Sequence, residues 1–199
     1  MSVKELYEIF LKSNGVVTDS RQINNKSLFF ALKGVNFNGN EFAKSAIDKG
    51  AMYAVVDEKK YSLDDEKFIF VNDSLKTLQE LANFHRIKLS AKIIGITGSN
   101  GKTTSKELIH SVLETEFNTY CTKGNLNNHI GVPLSILEIS HETEIAIIEM
   151  GANHLGEIKL LSSIAEPDYG YITNFGKAHL EGFGSCLLYT SPSPRDGLL

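Results

Sequence analysis

The sequence predicts an α/β protein built on parallel sheets, in which a small N-terminal α/β domain precedes a second parallel-sheet domain. Two observations predict this class. Short apolar runs recur along the chain, and segments with helical periodicity separate them. Glycines and polar turns stand at the junctions between these elements. Because strands that alternate with helices form parallel sheets, ligand-binding residues are expected at the carboxyl ends of the strands.

The first domain is predicted to span residues 1–85. Val3, Leu6 and Phe10 recur at helical spacing, which predicts an amphipathic helix at the start of the chain. Asp73 is a candidate N-cap for the last helix of this domain. The expected elements are helix 2–12, a strand from residue 16, strand 27–34, a helix from residue 42 that stops at Gly50, strands 51–56 and 68–71, and a helix from Asp73 to about residue 87.

The second domain is predicted to span residues 86–185. The boundary lies near residues 83–90, because the preceding helix there delivers the chain to a new strand. Ile93 and Ile94 predict that strand, and a glycine-rich loop connects it to a helix over residues 105–116. The further elements expected are strand 119–122, a helix beginning near residue 132, strand 144–151, helix 155–165 and strand 169–174.

Residues 186–199 break this pattern. They hold two of the four prolines and show no periodicity. This composition is typical of a translated cloning or assembly scar rather than of a folding sequence. A natural disordered terminus is the alternative, and in either case the segment is left out of the predicted fold.

Composition indicates a globular protein without an obvious nucleic-acid surface. The chain has 199 residues, 42% of them hydrophobic and 22% charged, and a formal net charge of −4. No basic excess favours nucleic acid, and no apolar run reaches the length of a membrane span. The start lacks the apolar core of a signal peptide. A cytoplasmic monomer is therefore expected, and Cys121 and Cys186 suit neither a metal site nor a disulfide framework.

The stretch Thr-Gly-Ser-Asn-Gly-Lys-Thr-Thr at residues 97–104 predicts a phosphate-binding loop. Glycines let several backbone N–H groups point at one anion, and Lys102 adds a full positive charge at the start of a helix. The strict P-loop pattern requires glycine at position 96, which is Ile96, so an ordinary glycine-rich turn is the alternative. A lysine and two threonines at a helix start favour nucleotide. The predicted nucleotide-binding residues are Gly98, Ser99, Asn100, Gly101, Lys102, Thr103 and Thr104.

Glu149 and His179 are further candidates. Glu149 ends an apolar strand downstream of the loop, where nucleotide-binding enzymes hold Mg²⁺ directly or through water. A solvated strand-end carboxylate is the alternative, and the pairing with Lys102 and Thr103 favours the metal interpretation. A single loop histidine such as His179 is more often hydrogen-bonded than a ligand.

Four more motifs follow a fixed order along the chain. They are Phe-Ala-Leu-Lys-Gly at 30–34, Gly-Asn-Leu-Asn-Asn-His-Ile-Gly-Val-Pro at 124–133, Glu-Met-Gly-Ala-Asn-His at 149–154 and Ala-His-Leu-Glu-Gly-Phe-Gly-Ser at 178–185. Together with the loop, they resemble the motifs of the Mur ligases, the ATP-dependent amide-forming enzymes of peptidoglycan precursor synthesis. Within that family they are most similar to the members that add D-alanyl-D-alanine.

The resemblance implies a UDP-sugar-binding first domain, a P-loop-type ATPase second domain, and ATP and Mg²⁺ as cofactors. The implied substrates are UDP-N-acetylmuramoyl-tripeptide and D-alanyl-D-alanine, joined through an acyl phosphate. It implies catalytic roles for Lys102, Glu149 and His179, and it implies Thr103, Glu149 and His179 as metal ligands. The substrate-binding residues that it implies are Ser20, Arg21, Lys33, Gly34, Asn127 and Asn128, for which short polar turns and an Asx turn are the structural alternatives.

The resemblance covers about residues 14–185 and then stops. The lysine that the family carbamylates, the rest of the central sheet and the third domain are expected beyond that point, so the second domain is predicted to be incomplete. The 199 residues alone are therefore expected to lack ligase activity. Alternatives are another Mur-type ligase, a folylpolyglutamate-synthetase-like enzyme, or a module that binds UDP-sugar or nucleotide without turnover.

Overall fold

The structure is a computed structural model that describes residues 1–62 and 65–175. The chain folds into two compact units. The first contains Met1–Lys88 and Ile136–Glu138, and the second contains Leu89–Ser135 and the described residues from Ile139 onward. His179 lies outside the described residues, as do the Ala-His-Leu-Glu-Gly-Phe-Gly-Ser motif and the segment 186–199.

The first unit is a parallel four-stranded sheet covered by helices. Its strands lie side by side in the order β1 (Val16–Val17), β2 (Leu28–Phe30), β5 (Tyr53–Val56) and β6 (Phe68–Phe70), and all three pairings are parallel. Alanines and larger apolar side chains from β2, β5 and helix α2 (Ala43–Asp48) form a core that includes Phe29, Ala46 and Val56. In chain order the elements are α1 (Val3–Lys12), β1 (Val16–Val17), β2 (Leu28–Phe30), β3 (Lys33–Gly34), β4 (Phe37–Asn38), a 3₁₀ helix (Gly39–Phe42), α2 (Ala43–Asp48), β5 (Tyr53–Val56), a 3₁₀ helix (Lys59–Tyr61), β6 (Phe68–Phe70) and α3 (Ser74–Lys88).

Helix α1 begins at a capping box that the sequence carries. The Ser2 hydroxyl accepts a hydrogen bond from the Glu5 N–H, and the Glu5 carboxylate accepts one from the Ser2 N–H. The helix then buries Leu6, Tyr7 and Phe10. Because these residues recur every three to four positions, they form one face, and α1 packs that face against α3.

The strand predicted over residues 27–34 is wrong in its second half. Strand β2 ends at Phe30, and Lys33–Gly34 forms a separate antiparallel ribbon with Phe37–Asn38. The backbone turns because the Leu32 N–H donates to the Phe30 carbonyl at 3.1 Å. The Gly39 N–H then donates to the Leu32 carbonyl at 2.8 Å, in a contact too close to the Leu32 backbone for any side chain at position 39.

The second unit is also a parallel sheet, which confirms the α/β class for both halves. Its strands lie in the order β10 (Tyr169–Ile172), β7 (Lys92–Thr97), β9 (Ile145–Glu149) and β8 (Thr119–Cys121), so β7 and β9 are the central strands. Both are rich in isoleucine and largely buried, as expected for strands covered on two faces. After α3 the elements are β7 (Lys92–Thr97), α4 (Lys102–Leu113), β8 (Thr119–Cys121), α5 (Gly131–Leu137), β9 (Ile145–Glu149), α6 (Glu157–Ala165) and β10 (Tyr169–Ile172). The last two residues of α5, Ile136 and Leu137, belong to the first unit.

Two helices in this unit begin at positions other than those predicted. Helix α4 begins at Lys102 instead of residue 105, because the Ser105 N–H donates to the Gly101 carbonyl at 2.9 Å and closes the first turn. Helix α6 begins at Glu157 instead of residue 155, after Gly156 at a φ of +85°. Among the helices of the described residues, none is long and apolar enough to cross a membrane.

Candidate active site

The phosphate-binding loop connects β7 to α4 with two glycines at positive φ. Gly98 has a φ of +134° and Gly101 a φ of +77°, so the backbone takes conformations that L side chains rarely adopt. Gly101 is the N-cap of α4 and contributes no side-chain capping bond. The N–H groups of the first helical turn therefore face the loop without intrahelical acceptors, which is the geometry that binds an anion.

Residues after β10 hold the loop in place. The Ser99 N–H donates to the Asn174 carbonyl at 3.2 Å, and the Asn100 N–H donates to the Asn174 side-chain oxygen at 3.0 Å. The Thr173 hydroxyl in turn donates to the Asn100 carbonyl at 2.6 Å. The N–H groups of Ser99 and Asn100 are thus engaged by the protein, which leaves the helix start as the anion-binding part of this loop.

Lys102 lies over the loop that it belongs to. Its Nζ atom donates to the Gly98 carbonyl at 2.7 Å, and the side chain is only half-buried. The ammonium group can therefore leave this carbonyl for a phosphate oxygen without breaking a buried ion pair. Thr103 and Thr104 occupy the next two positions of the same turn.

Thr103 and Glu149 meet at the carboxyl end of β9. The Thr103 hydroxyl donates to Glu149 Oε2 at 3.0 Å, and the Asn127 side-chain amide donates to Glu149 Oε1 at 2.8 Å. Glu149 is 2% exposed, so its carboxylate is held by these contacts rather than by solvent. The structure therefore brings together three residues that the sequence placed on three different segments.

Lys106 also belongs to this cluster, although the sequence analysis did not predict it as a site residue. Its side chain is fully buried, and Nζ donates to the Thr122 carbonyl at 2.6 Å. The same Nζ lies 3.1 Å from Glu107 Oε1 and 3.9 Å from Glu149 Oε2. One signal could have revealed it, because Lys106 stands three residues after Thr103 and so shares its helical face.

Oxygen ligands at this point suit Mg²⁺. Magnesium binds proteins through one or two oxygen groups and keeps water and phosphate as its other ligands. The Glu149 carboxylate and the Thr103 hydroxyl are such a pair. In the part of the chain that the structure describes, no group of three or more His, Cys, Asp or Glu side chains could hold a metal.

Asn127 and Asn128 have different surroundings. Asn127 contacts Glu149, and its carbonyl accepts from the Gly151 N–H at 2.7 Å. The Asn128 side-chain oxygen accepts from the N–H groups of Ile130 and Gly131 at 3.0 and 2.8 Å, so it caps the start of α5. Asn128 thus has a structural role that the Asx-turn alternative anticipated.

Both asparagines also line a cavity of about 360 Å³ beside Lys102. Glu157 orders another part of its wall, because its Oε2 accepts from the N–H groups of Asn153 and His154 at 2.6 and 2.9 Å. Burial raises the pKa of Glu157, but these bonds outweigh burial and lower the pKa below its ordinary value. The cavity is lined by Lys102, Asn127, Asn128, His129, Gly151, Ala152, Asn153, His154, Glu157, Leu160 and Leu161.

Ser20 and Arg21 line a separate cavity of about 480 Å³ in the first unit. Its other lining residues include three phenylalanines, namely Phe29, Phe37 and Phe42. Such a lining offers flat apolar surface to a ring and polar groups at its edge.

Lys33 and Gly34 are not among the residues that line that cavity. Lys33 Nζ instead lies 2.9 Å from Asp57 Oδ1 and 3.3 Å from Glu58 Oε1. At Gly34, any Cβ would collide with the Phe37 ring. The structure therefore groups Ser20 with Arg21 but gives Lys33 and Gly34 a place in the β3–β4 ribbon.

The pairing of Asp19 with Arg21 can be tested through the pKa of the Asp19 carboxyl. Hydrogen bonds from the Arg21 side chain and N–H lower the pKa of Asp19 to about 2. A lowered native pKa means that the pair favours the folded state above the ordinary value of 3.8 and loses this effect as the pH falls toward 2. In the Arg21→Ala variant, NMR titration of the Asp19 carboxyl should give a pKa nearer 3.8. An unchanged pKa would contradict the assigned pairing.

Two sequence profiles of one family match most of the chain. The profile of the Mur ligase family catalytic domain matches residues 12–86, and that of the Mur ligase middle domain matches residues 96–191. The chain belongs to the Mur ligase family. The middle-domain match runs six residues into the segment 186–199, whose interpretation as a non-native tail stays a prediction.

Curated relatives of this Mur ligase chain share a name. The UDP-N-acetylmuramoyl-tripeptide--D-alanyl-D-alanine ligase of Bacillus subtilis is 43% identical over 173 residues, which are 86% of this chain and 38% of the relative. The ligase of the same name from Escherichia coli is 40% identical over 181 residues, 91% of this chain and 40% of the relative. The chain thus spans about two-fifths of the length of the curated relatives that it matches.

Solved structures agree with the sequence matches. A crystal structure of MurF from Acinetobacter baumannii superposes with a TM-score of 0.83 at 34% identity, covering 94% of this Mur ligase chain and 44% of that chain. The MurF ligase of Thermotoga maritima in complex with ADP gives a TM-score of 0.82 at 34% identity, covering 92% and 42%. These superpositions support the α/β fold of the Mur ligase chain.

Proposed function

We propose that this chain is the N-terminal part of an ATP-dependent ligase that joins D-alanyl-D-alanine to UDP-N-acetylmuramoyl-tripeptide. The observation that carries the proposal is the contact of Thr103 with Glu149 at 3.0 Å, next to Lys102 on the loop. A phosphate-binding helix start, a lysine and an oxygen pair for Mg²⁺ are the parts that phosphoryl transfer requires. The names of the curated relatives support the choice of substrates.

The proposal gives a role to each candidate site residue of the second unit. The N–H groups at the start of α4 would bind the nucleotide phosphates, and Lys102 would move from the Gly98 carbonyl to the β- and γ-phosphate oxygens. Glu149 and Thr103 would hold Mg²⁺, with His179 as a further proposed ligand outside the described residues. Bound there, Mg²⁺ supplies charge neutralisation for the phosphates. Asn127 would keep the Glu149 carboxylate aimed at this point.

The chemistry follows from the weak reactivity of a carboxylate. The tripeptide carboxylate would attack the γ-phosphate of ATP, which gives an acyl phosphate and ADP. The amine of D-alanyl-D-alanine would then attack the acyl carbon, and phosphate would leave as the amide forms. Because the side chains supply charge and position rather than covalent bonds, Lys102 and the loop N–H groups would dominate catalysis. The cavity beside Lys102 is a suitable place for the reacting groups.

The first unit would bind the UDP-sugar. The cavity with Ser20 and Arg21 offers a guanidinium for a phosphate and aromatic rings for a base. Lys33 and Gly34 would contribute to this binding from the β3–β4 ribbon, where Lys33 is 45% exposed and so reachable by a phosphate. We also propose that the protein acts in the cytoplasm as a monomer.

The test of this function uses the chain joined to the remaining segment of the Bacillus subtilis relative. We expect ATP-dependent phosphate release that requires both UDP-N-acetylmuramoyl-tripeptide and D-alanyl-D-alanine. A requirement for a single amino acid in place of the dipeptide would instead indicate another Mur-type ligase. The 199 residues alone are expected to bind ADP without turnover, and amide formation by them would refute that expectation.

A further inference from the structure

A fully buried lysine stands beside the carboxylate that we propose as the metal ligand. Lys106 has no exposed side-chain surface, and Glu149 is 2% exposed. Removing a charge from water is costly unless another charge or several hydrogen bonds compensate it. The 3.9 Å between Lys106 Nζ and Glu149 Oε2 places two opposite charges in each other's field inside the protein.

The other contacts fix the lysine at this point. Its Nζ donates to the Thr122 carbonyl at 2.6 Å, where β8 ends, and pairs with Glu107 at 3.1 Å. The Thr122 hydroxyl accepts from the Glu149 N–H at 3.0 Å. Lys106 and Glu149 are therefore tied to the same residue, so the ammonium cannot move far when the carboxylate takes a ligand.

Neutral donors occupy both oxygens of Glu149. Thr103 donates to Oε2 and Asn127 to Oε1, and neither carries a charge. Lys106 thus supplies positive charge at the position where a metal would otherwise supply it. A cation that binds Oε2 would also meet this ammonium, and two positive charges a few ångströms apart repel each other in a buried site.

We propose that Lys106 is a built-in counter-ion of Glu149, which keeps the carboxylate in place without metal and weakens its binding of divalent cations. The inference rests on the metal role proposed for Glu149. Because its side chain is fully buried, Lys106 acts as a positioning residue for Glu149 and not as a nucleotide ligand in this proposal. A merely structural lysine would act in the opposite direction, because loosening the site would weaken metal binding.

The experiment measures Mn²⁺ binding to the 199-residue chain by the loss of the free-ion EPR signal, without nucleotide. Lys106→Gln removes the charge and retains an amide that can donate to the Thr122 carbonyl. We expect its dissociation constant for Mn²⁺ to fall about tenfold, a conservative value for one buried charge at this distance. Lys106→Arg keeps the charge and should bind Mn²⁺ as the unmodified chain does.

Two control variants separate the metal role of Glu149 from the counter-ion role of Lys106. Glu107→Gln removes the other carboxylate that pairs with Lys106. Because the Glu107 side chain is 58% exposed, this variant should leave the dissociation constant for Mn²⁺ nearly unchanged. Glu149→Gln should weaken binding. If Glu149→Gln has no effect, the proposed metal role of Glu149 fails and this inference fails with it. If Glu149→Gln weakens binding but Lys106→Gln binds equally or less tightly, the counter-ion proposal alone is overturned.

Thermal unfolding tests the proposal even if Lys106→Gln is less stable than the unmodified chain. In EDTA, Lys106→Gln should unfold at a lower temperature than the unmodified chain, because the substitution leaves Glu149 without its counter-ion. Mn²⁺ should then raise the unfolding temperature of Lys106→Gln by more than it raises that of the unmodified chain. If Mn²⁺ raises the unfolding temperature of Lys106→Gln by the same amount as that of the unmodified chain, or by less, the proposal is contradicted.

Discussion

Replacing Lys102 with alanine should weaken ADP binding by the 199-residue chain about 30-fold, which corresponds to about 2 kcal/mol for a hydrogen bond to a charged group. The ammonium lies on the loop, 2.7 Å from the Gly98 carbonyl, and is free to reach a phosphate. Isothermal titration calorimetry with Mg²⁺ and ADP measures the change.

The matched control for that variant is Lys159→Ala. Lys159 is an exposed lysine on α6 in the same unit and is not among the residues that line the cavity beside Lys102. It changes the net charge equally, so unaltered ADP binding would show that the loss is specific to position 102. An equal loss in both variants would point to long-range electrostatics instead of a contact.

Gly98→Ala should lower the free energy of unfolding by about 3 kcal/mol, from backbone strain and overpacking together. Gly98 has a φ of +134°, and an added Cβ would collide with the Thr173 hydroxyl. It would also lie 3.0 Å from the Thr173 N and 3.1 Å from the Asn174 N. Because these are backbone atoms on a strand end, they cannot turn aside.

Gly101→Ala is the natural comparison, since it lies in the same loop. Its φ is +77°, but an added Cβ would meet nothing within 4 Å. We expect only the cost of a left-handed conformation, about 1–2 kcal/mol. Urea unfolding followed by circular dichroism measures both variants, and equal losses would contradict the close approach of Thr173 and Asn174 to Gly98.

Elements with strong local signals could be predicted from the sequence. The segment from β7 through the loop to α4 combines an apolar strand, two glycines and a helix, so its position could be predicted from the residues alone. The start of α4 could not be placed, because it depends on the Gly101 carbonyl accepting from Ser105 and on a positive φ. The β3–β4 ribbon was missed for a related reason, since strands of two residues carry no periodicity.

The candidate site was predicted in its parts but not in its contacts. The sequence indicates Glu149 by its place at the end of an apolar strand and Asn127 by a motif shared with the family. Their 2.8 Å bond joins segments 22 residues apart and has no sequence signature. Lys106 was missed because lysine is rarely buried, so its type indicates a surface position. Tertiary packing around Thr122 overrides that preference here.

Binding of the nucleotide phosphates by residues 98–104 is the step on which the proposed function depends. The most direct test is a ¹H–¹⁵N correlation NMR titration of the 199-residue chain with ADP and Mg²⁺. We expect the largest amide shifts on residues 98–104, and above all on Lys102, Thr103 and Thr104 at the start of α4. Saturable ADP binding that leaves these amides unshifted, with the changes concentrated elsewhere in the chain, would contradict phosphate binding by this loop.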